Sequence, residues 1–153
     1  MVVARALADP AYGDRVVNAP DPYAAFRAEV VDLHPRLRRW WPRSLGATPW
    51  AVARELRRVT GERYAVRWVW PRRRLAAWQL LHGTVREGAL VAVYVGNRWS
   101  PRHVVLAHRA AADAVSVYEP SHGQTRRATA EMFVEGRLRW GWRTPWALVV
   151  PRS

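Results

Sequence analysis

Few side chains in this sequence could do acid–base or covalent chemistry, and their order along the chain narrows what that chemistry could be. His103 stands at the head of one apolar stretch, Pro101-Arg-His-Val-Val-Leu-Ala-His108, and Glu119 closes the next, Val115-Ser-Val-Tyr-Glu119. A base and an acid at the ends of consecutive strand-like segments are what a covalent mechanism needs beside its nucleophile. The imidazole takes a proton and the carboxylate fixes the tautomer of the ring. Each residue also has an ordinary use, since a strand-end histidine can be satisfied by backbone or water and Glu-Pro commonly ends a strand. His108 falls on the opposite face of the same strand from His103, so only one of the two can face a given cleft. His122 lies in the Glu119-Pro-Ser-His-Gly123 turn, within reach of Glu119, and reads first as a solvated turn residue. A metal site built from His103, Glu119 and His122 is chemically allowed, but no ligand pair at helical i,i+4 spacing supports it; neither metal nor cofactor is expected.

A nucleophile is harder to find. The 153 residues include no cysteine, which excludes thiol catalysis by this chain, disulfides and thiolate metal sites. Ser44, Ser100 and Ser121 all fall in loops, and none sits in the Gly-x-Ser-x-Gly turn that exposes a strained hydroxyl.

The elements that must position His103 and Glu119 follow from pattern and punctuation. Met1 to Ala8 reads as helix with no capping side chain before it, and Asp9-Pro10 stops it ahead of a loop through Gly13, Asn18 and Pro20. Asp21-Pro22 marks a new helix start, with Tyr23, Phe26, Val30 and Leu33 on one face and His34-Pro35 as its end. Thr48-Pro49 repeats the cap-plus-proline signal for a helix carrying Trp50, Ala53, Leu56 and Val59 on one stripe and stopping at Gly61. A further helix spans about Arg73 to Arg86, with Leu75, Trp78, Leu81 and Val85 inward. Beyond Gly88 the period changes. Ala89–Val95, His103–Ala107 and Ala114–Tyr118 predict an antiparallel meander, Thr129 caps a short helix through Phe133, and Trp146–Val150 is a last strand. The expected fold class is therefore α+β, one domain over 1–153, with N-terminal helices packed on a C-terminal antiparallel sheet.

From Ala89 onward, the apolar strand, the strand headed by Pro101-Arg-His103 and the strand ending in Glu119-Pro-Ser-His-Gly123 resemble the catalytic half of the papain-like cysteine peptidases that process double-glycine bacteriocin leaders. The resemblance implies a papain-like fold and a peptide or protein substrate. It gives His103 the place of the general base and Glu119 that of the acid that orients it. In that family the acid is an aspartate, one methylene shorter. The family also places a cysteine at the amino end of its first long helix, where the helix dipole favours a thiolate. Here Met1-Val-Val-Ala-Arg-Ala-Leu7 reads as the body of that helix. The expectation is a chain shortened at its amino end or a pseudo-enzyme, inactive as it stands, with a fraying first helix that leaves apolar surface exposed.

Composition offers a second reading. The excess of 25 basic over 12 acidic residues gives a net charge of +13, which favours an anionic partner or nucleic acid. All the basic residues are arginine and none is lysine, which together with abundant alanine and valine also fits a GC-rich coding bias. Arginine and tryptophan interleave in Arg36–Arg43, Arg63–Arg74 and Arg137–Arg143, a mixture that can pair phosphates and stack bases. No nucleic-acid-binding motif accompanies it, and tryptophans at the domain edge with arginines stacked on them account for the same residues. No apolar run approaches a membrane span and no signal segment is evident, so a cytoplasmic protein is expected.

Overall fold

The computed structural model describes residues 1–37, 47–139 and 142–152, with only the backbone described at 33–37. Its centre is a six-stranded antiparallel sheet of β1 (Tyr64–Trp68), β2 (Val91–Gly96), β3 (Pro101–Ala110), β4 (Ala114–Glu119), β5 (Gln124–Thr129) and β6 (Thr144–Pro151). The spatial order is β1-β6-β2-β3-β4-β5, so the expected meander is present and the last strand inserts beside β2. All residues of β2 are buried, because this strand is covered on both faces.

Side-chain alternation divides the core into two layers. Val91, Val93, Val95, Val105, Val117 and Leu148 pack with Trp78, Leu81 and Val85 of helix α5 (Arg74–Arg86) and with Phe133 of α6 (Ala130–Val134). On the other face, Ala92, Tyr94, Leu106, Ala147 and Val149 join Val52 and Leu56 of α4 (Pro49–Thr60) and Ala4 of α1 (Val2–Ala8). The architecture is α+β, as the pattern predicted.

Local chemistry explains the element ends. The Thr48 hydroxyl accepts from the Ala51 amide at 3.0 Å and caps α4, while Gly61, at φ 79°, ends it in the left-handed region that favours glycine. Thr129 caps α6 by accepting from the Met132 amide.

Several expectations are corrected. Asp9-Pro10 ends α1 but also starts helix α2 (Pro10–Val17), with the Asp9 carboxylate accepting from the Tyr12 amide at 3.1 Å; the expected loop through Gly13 is thus helical up to Val17. Gly13 lies inside α2 where a Cβ would come within 3.3 Å of Ala6, so the missing side chain lets the two helices approach. Helix α3 (Pro22–Leu37) runs past His34-Pro35; a proline in the last turn removes one hydrogen bond near an end where few remain. Of its expected apolar stripe, Tyr23 is 71% exposed and Val30 is exposed, while Phe26 is half-buried. The first helix has no side-chain cap, as expected; it buries Val2 and Ala4 and leaves Leu7 exposed. In α4 the buried face centres on Val52 and Leu56 with Trp50 exposed, and Glu55 is buried beside Arg58, which donates to it at 2.6 Å. Leu75 is exposed, whereas Trp78, Leu81 and Val85 are inward as expected. Two strands went unanticipated, β1 and β5, both edges of the sheet.

Candidate functional site

The sheet brings His103 and Glu119 together. His103 pairs with Val95 of β2, and Val105, two residues on, belongs to the same side of β3. Leu106 faces Tyr118 across β3 and β4, so the register continued by one step sets Val105 opposite Glu119 and leaves His103 on the diagonal. Diagonal neighbours on one face lie roughly 7–8 Å apart at the backbone, within reach of long side chains. His103 Nε2 is 2.8 Å from Glu119 Oε1.

Glu119 is only 1% exposed, and a carboxylate there must be fully partnered. The Ser121 amide donates to Oε1 at 2.7 Å, and His122 Nδ1 lies 2.6 Å from Oε2. Burial pushes the Glu119 carboxyl up, but the hydrogen bonds from the His122 ring, from the amide and side chain of Ser121 and from the His103 ring outweigh it and hold the group down at about 2. Ionised Glu119 only accepts, so His103 must carry its proton on Nε2 and, when neutral, keeps its lone pair on Nδ1. By the same argument His122 donates from Nδ1 and leaves Nε2 open. The two rings differ in setting: the His103 side chain is 18% exposed and that of His122 is 64% exposed. A half-sheltered imidazole fixed through one nitrogen is a positioned base; a solvated one mainly serves the carboxylate.

His122 is therefore both the solvated turn residue that its position suggested and a direct partner of Glu119. The Ser121 amide was missed, because bonding to the amide two residues on is a turn device of the shorter Asp and Asn side chains, and Glu119 signals it less plainly. His108 stands where the β3–β4 register shifts between Ala107 and Arg109, away from the cluster, and burial followed by the nearby Arg109 charge lowers its pKa. Among the described residues no group of three His, Asp or Glu is arranged to hold a metal ion. Ser44, Trp40, Trp41 and most of the Arg36–Arg43 cluster lie outside the described residues.

The strand carrying His103 is aimed by the loop before it. Asn97 Oδ1 accepts from the Trp99 and Ser100 amides at 2.8 and 2.9 Å, and Trp146 Nε1 donates to the Asn97 carbonyl at 3.0 Å. Gly96 permits this turn, because a Cβ there would clash with the Ser100 carbonyl and come within 2.7 Å of Pro101 Cα. Pro145, Val95 and His103 form one row across β6, β2 and β3. At about 4.8 Å per strand, Pro145 lies roughly 10 Å from His103. Pro145 also borders a cavity of about 630 Å³ lined by Trp68, Trp70, Pro71, Arg98 and Trp146. Trp68 and Trp70 are exposed without an arginine stacked on them; among the described residues arginine stacks on tryptophan only at Arg98–Trp99.

No protein-family model matches the chain, and no curated protein matches it significantly. Among the described residues no helix is long and apolar enough to cross a membrane.

Proposed function

We propose that this domain is a papain-like peptidase homologue in which His103 is the proton-accepting imidazole and Glu119 the carboxylate that orients it. The observation that carries the reading is the 2.8 Å contact between His103 Nε2 and a buried Glu119 held ionised, which leaves Nδ1 as the basic nitrogen. The tryptophan-lined cavity roughly 10 Å along the strand row supplies an apolar place for a substrate side chain. Since the 153 residues contain no cysteine, the thiol step has no donor within them, and this chain by itself binds peptide without cleaving it.

The test is an NMR titration of the chain with a peptide containing a Gly-Gly pair. Shifts at His103, Glu119 and Ser121, weakened in His103→Ala and with the peptide left intact, are expected. Peptide at millimolar concentration that leaves these residues unperturbed contradicts the reading.

A further inference from the structure

At the far side of the sheet, β1 is an edge strand, paired among the described residues only with β6. The Arg63 carbonyl accepts from the Arg152 amide at 2.7 Å and the Val69 amide donates to the Trp146 carbonyl at 2.9 Å, so residues 63 and 69 turn their backbone groups toward β6. Alternation along an antiparallel ladder then directs the amides and carbonyls of Tyr64, Val66 and Trp68 to the open side. Beside that open side runs a cavity of about 670 Å³ between α4 and β1, lined by Trp50, Arg54, Arg57, Arg63, Arg67 and Arg152. None of these arginines enters an ion pair among the described residues. Glu55, next to Arg54 in sequence, is taken by Arg58, and Glu62 and Glu87 line a neighbouring cavity that Arg63 and Arg152 also border, without an ion pair to either among the described residues. At the other end of the strand, Trp68 meets Trp50 edge to face at 6.4 Å and also borders the tryptophan-lined cavity.

We propose that the free edge of β1 is a docking site for an extended, acidic segment of another protein, which adds to the sheet as a further strand. Its backbone pairs with Tyr64, Val66 and Trp68, its carboxylates meet Arg54, Arg57, Arg63, Arg67 and Arg152, and a bulky apolar residue at one end enters the cavity beside Trp68 and Trp70. A second copy of this chain is a poor occupant, because edge-to-edge pairing would bring arginines against arginines. An acidic strand is favoured over nucleic acid because the site offers a row of unpaired backbone groups, which a peptide uses and a phosphodiester chain does not. The backbone edge and the arginines lie away from His103, and the proposal shares only the Trp68–Trp70 cavity with the peptidase reading and does not depend on it.

The test compares, by calorimetry with the whole chain, a synthetic peptide of alternating glutamate and valine ending in phenylalanine, a glutamine-for-glutamate version of it, and a single-stranded oligonucleotide of equal charge. The acidic peptide is expected to bind best and to slow amide exchange at Val66 and Trp68. Val66→Pro removes one outward amide, and proline is tolerated on an edge strand, so the variant should bind about tenfold more weakly. The double variant Arg54→Gln/Arg57→Gln changes two exposed helix positions and should weaken binding at least as much, which keeps the test decisive if the proline variant folds poorly. Binding of the oligonucleotide as tightly as the peptide, peptide binding without protection of Val66 and Trp68, or no binding at all each overturns the proposal. In the last case the arginines serve only to keep the edge from pairing.

Discussion

His103 and Glu119 are 16 positions apart in the chain and meet at 2.8 Å because they sit diagonally on one face of the β3–β4 pair. The diagonal gives meaning to the choice of acid. Glutamate reaches across it while its second oxygen still accepts from His122 at 2.6 Å. Aspartate, one methylene shorter, cannot hold both histidines from the same backbone position. Glu119→Asp is therefore expected to lose the His103 contact and keep the local turn bonds, seen as a change at the His103 ring signals with little change at the Ser121 amide. Unchanged His103 signals would show that the extra methylene does no positioning.

The lowered pKa of Glu119 makes a pH prediction. Its folded-state pKa, about 2, lies below the value of an unfolded glutamate, roughly 4.3, so it stabilises the fold above the unfolded value. That stabilisation is lost as pH falls from about 4.3 toward 2. Glu119→Gln should destabilise the protein by about 2 kcal/mol at neutral pH, the scale of a charged buried hydrogen-bond acceptor, and the difference from the parent should shrink in acid. Denaturant unfolding of both proteins at neutral and acid pH measures it, and a pH-independent difference contradicts the account.

Gly96→Ala tests how β3 is aimed. A Cβ at this position clashes with the Ser100 carbonyl and with Pro101 Cα, both backbone, so the loop must shift. A loss of about 1–3 kcal/mol in thermal unfolding is expected, together with displaced His103 resonances, as for overpacking at a tight site.

The layer behind the site rests on Phe133, fully buried and 5.6 Å from Trp78 between ring centroids. Phe133→Ala should cost about 3–5 kcal/mol through lost burial and a cavity, read by denaturant unfolding. A cost below 1 kcal/mol would mean that α6 does not hold that face.

The legible parts of the fold were those where one residue type carries one meaning. Thr48-Pro49 with Gly61 bounded α4, and the apolar run through Val91–Val95 announced the central strand. Asp9-Pro10 carried the same cap-plus-proline signal, but a stop for α1 masked a start for α2. The two edge strands were hidden for a physical reason: Gln124-Thr-Arg-Arg-Ala-Thr129 and the arginine-bearing β1 have solvent on one side and lack the apolar alternation by which strands are recognised. The apolar stripe of α3 misled in the other direction, since periodicity marks a face and does not say whether anything covers it. At the site, the order of His103 and Glu119 was readable because strand ends are, and the turn put His122 within reach of Glu119, but whether its ring turns to the carboxylate or only to water is decided by the turn geometry, which spacing does not give.

The most direct measurement is the tautomer of the His103 ring in the neutral form, from long-range proton–nitrogen NMR, in the parent and in Glu119→Ala. The account predicts a proton on Nε2 and a bare Nδ1 in the parent, and loss of that preference in the variant. A proton on Nδ1 in the parent, or a ring indifferent to the removal of Glu119, would contradict the claim that Glu119 orients His103 as a base.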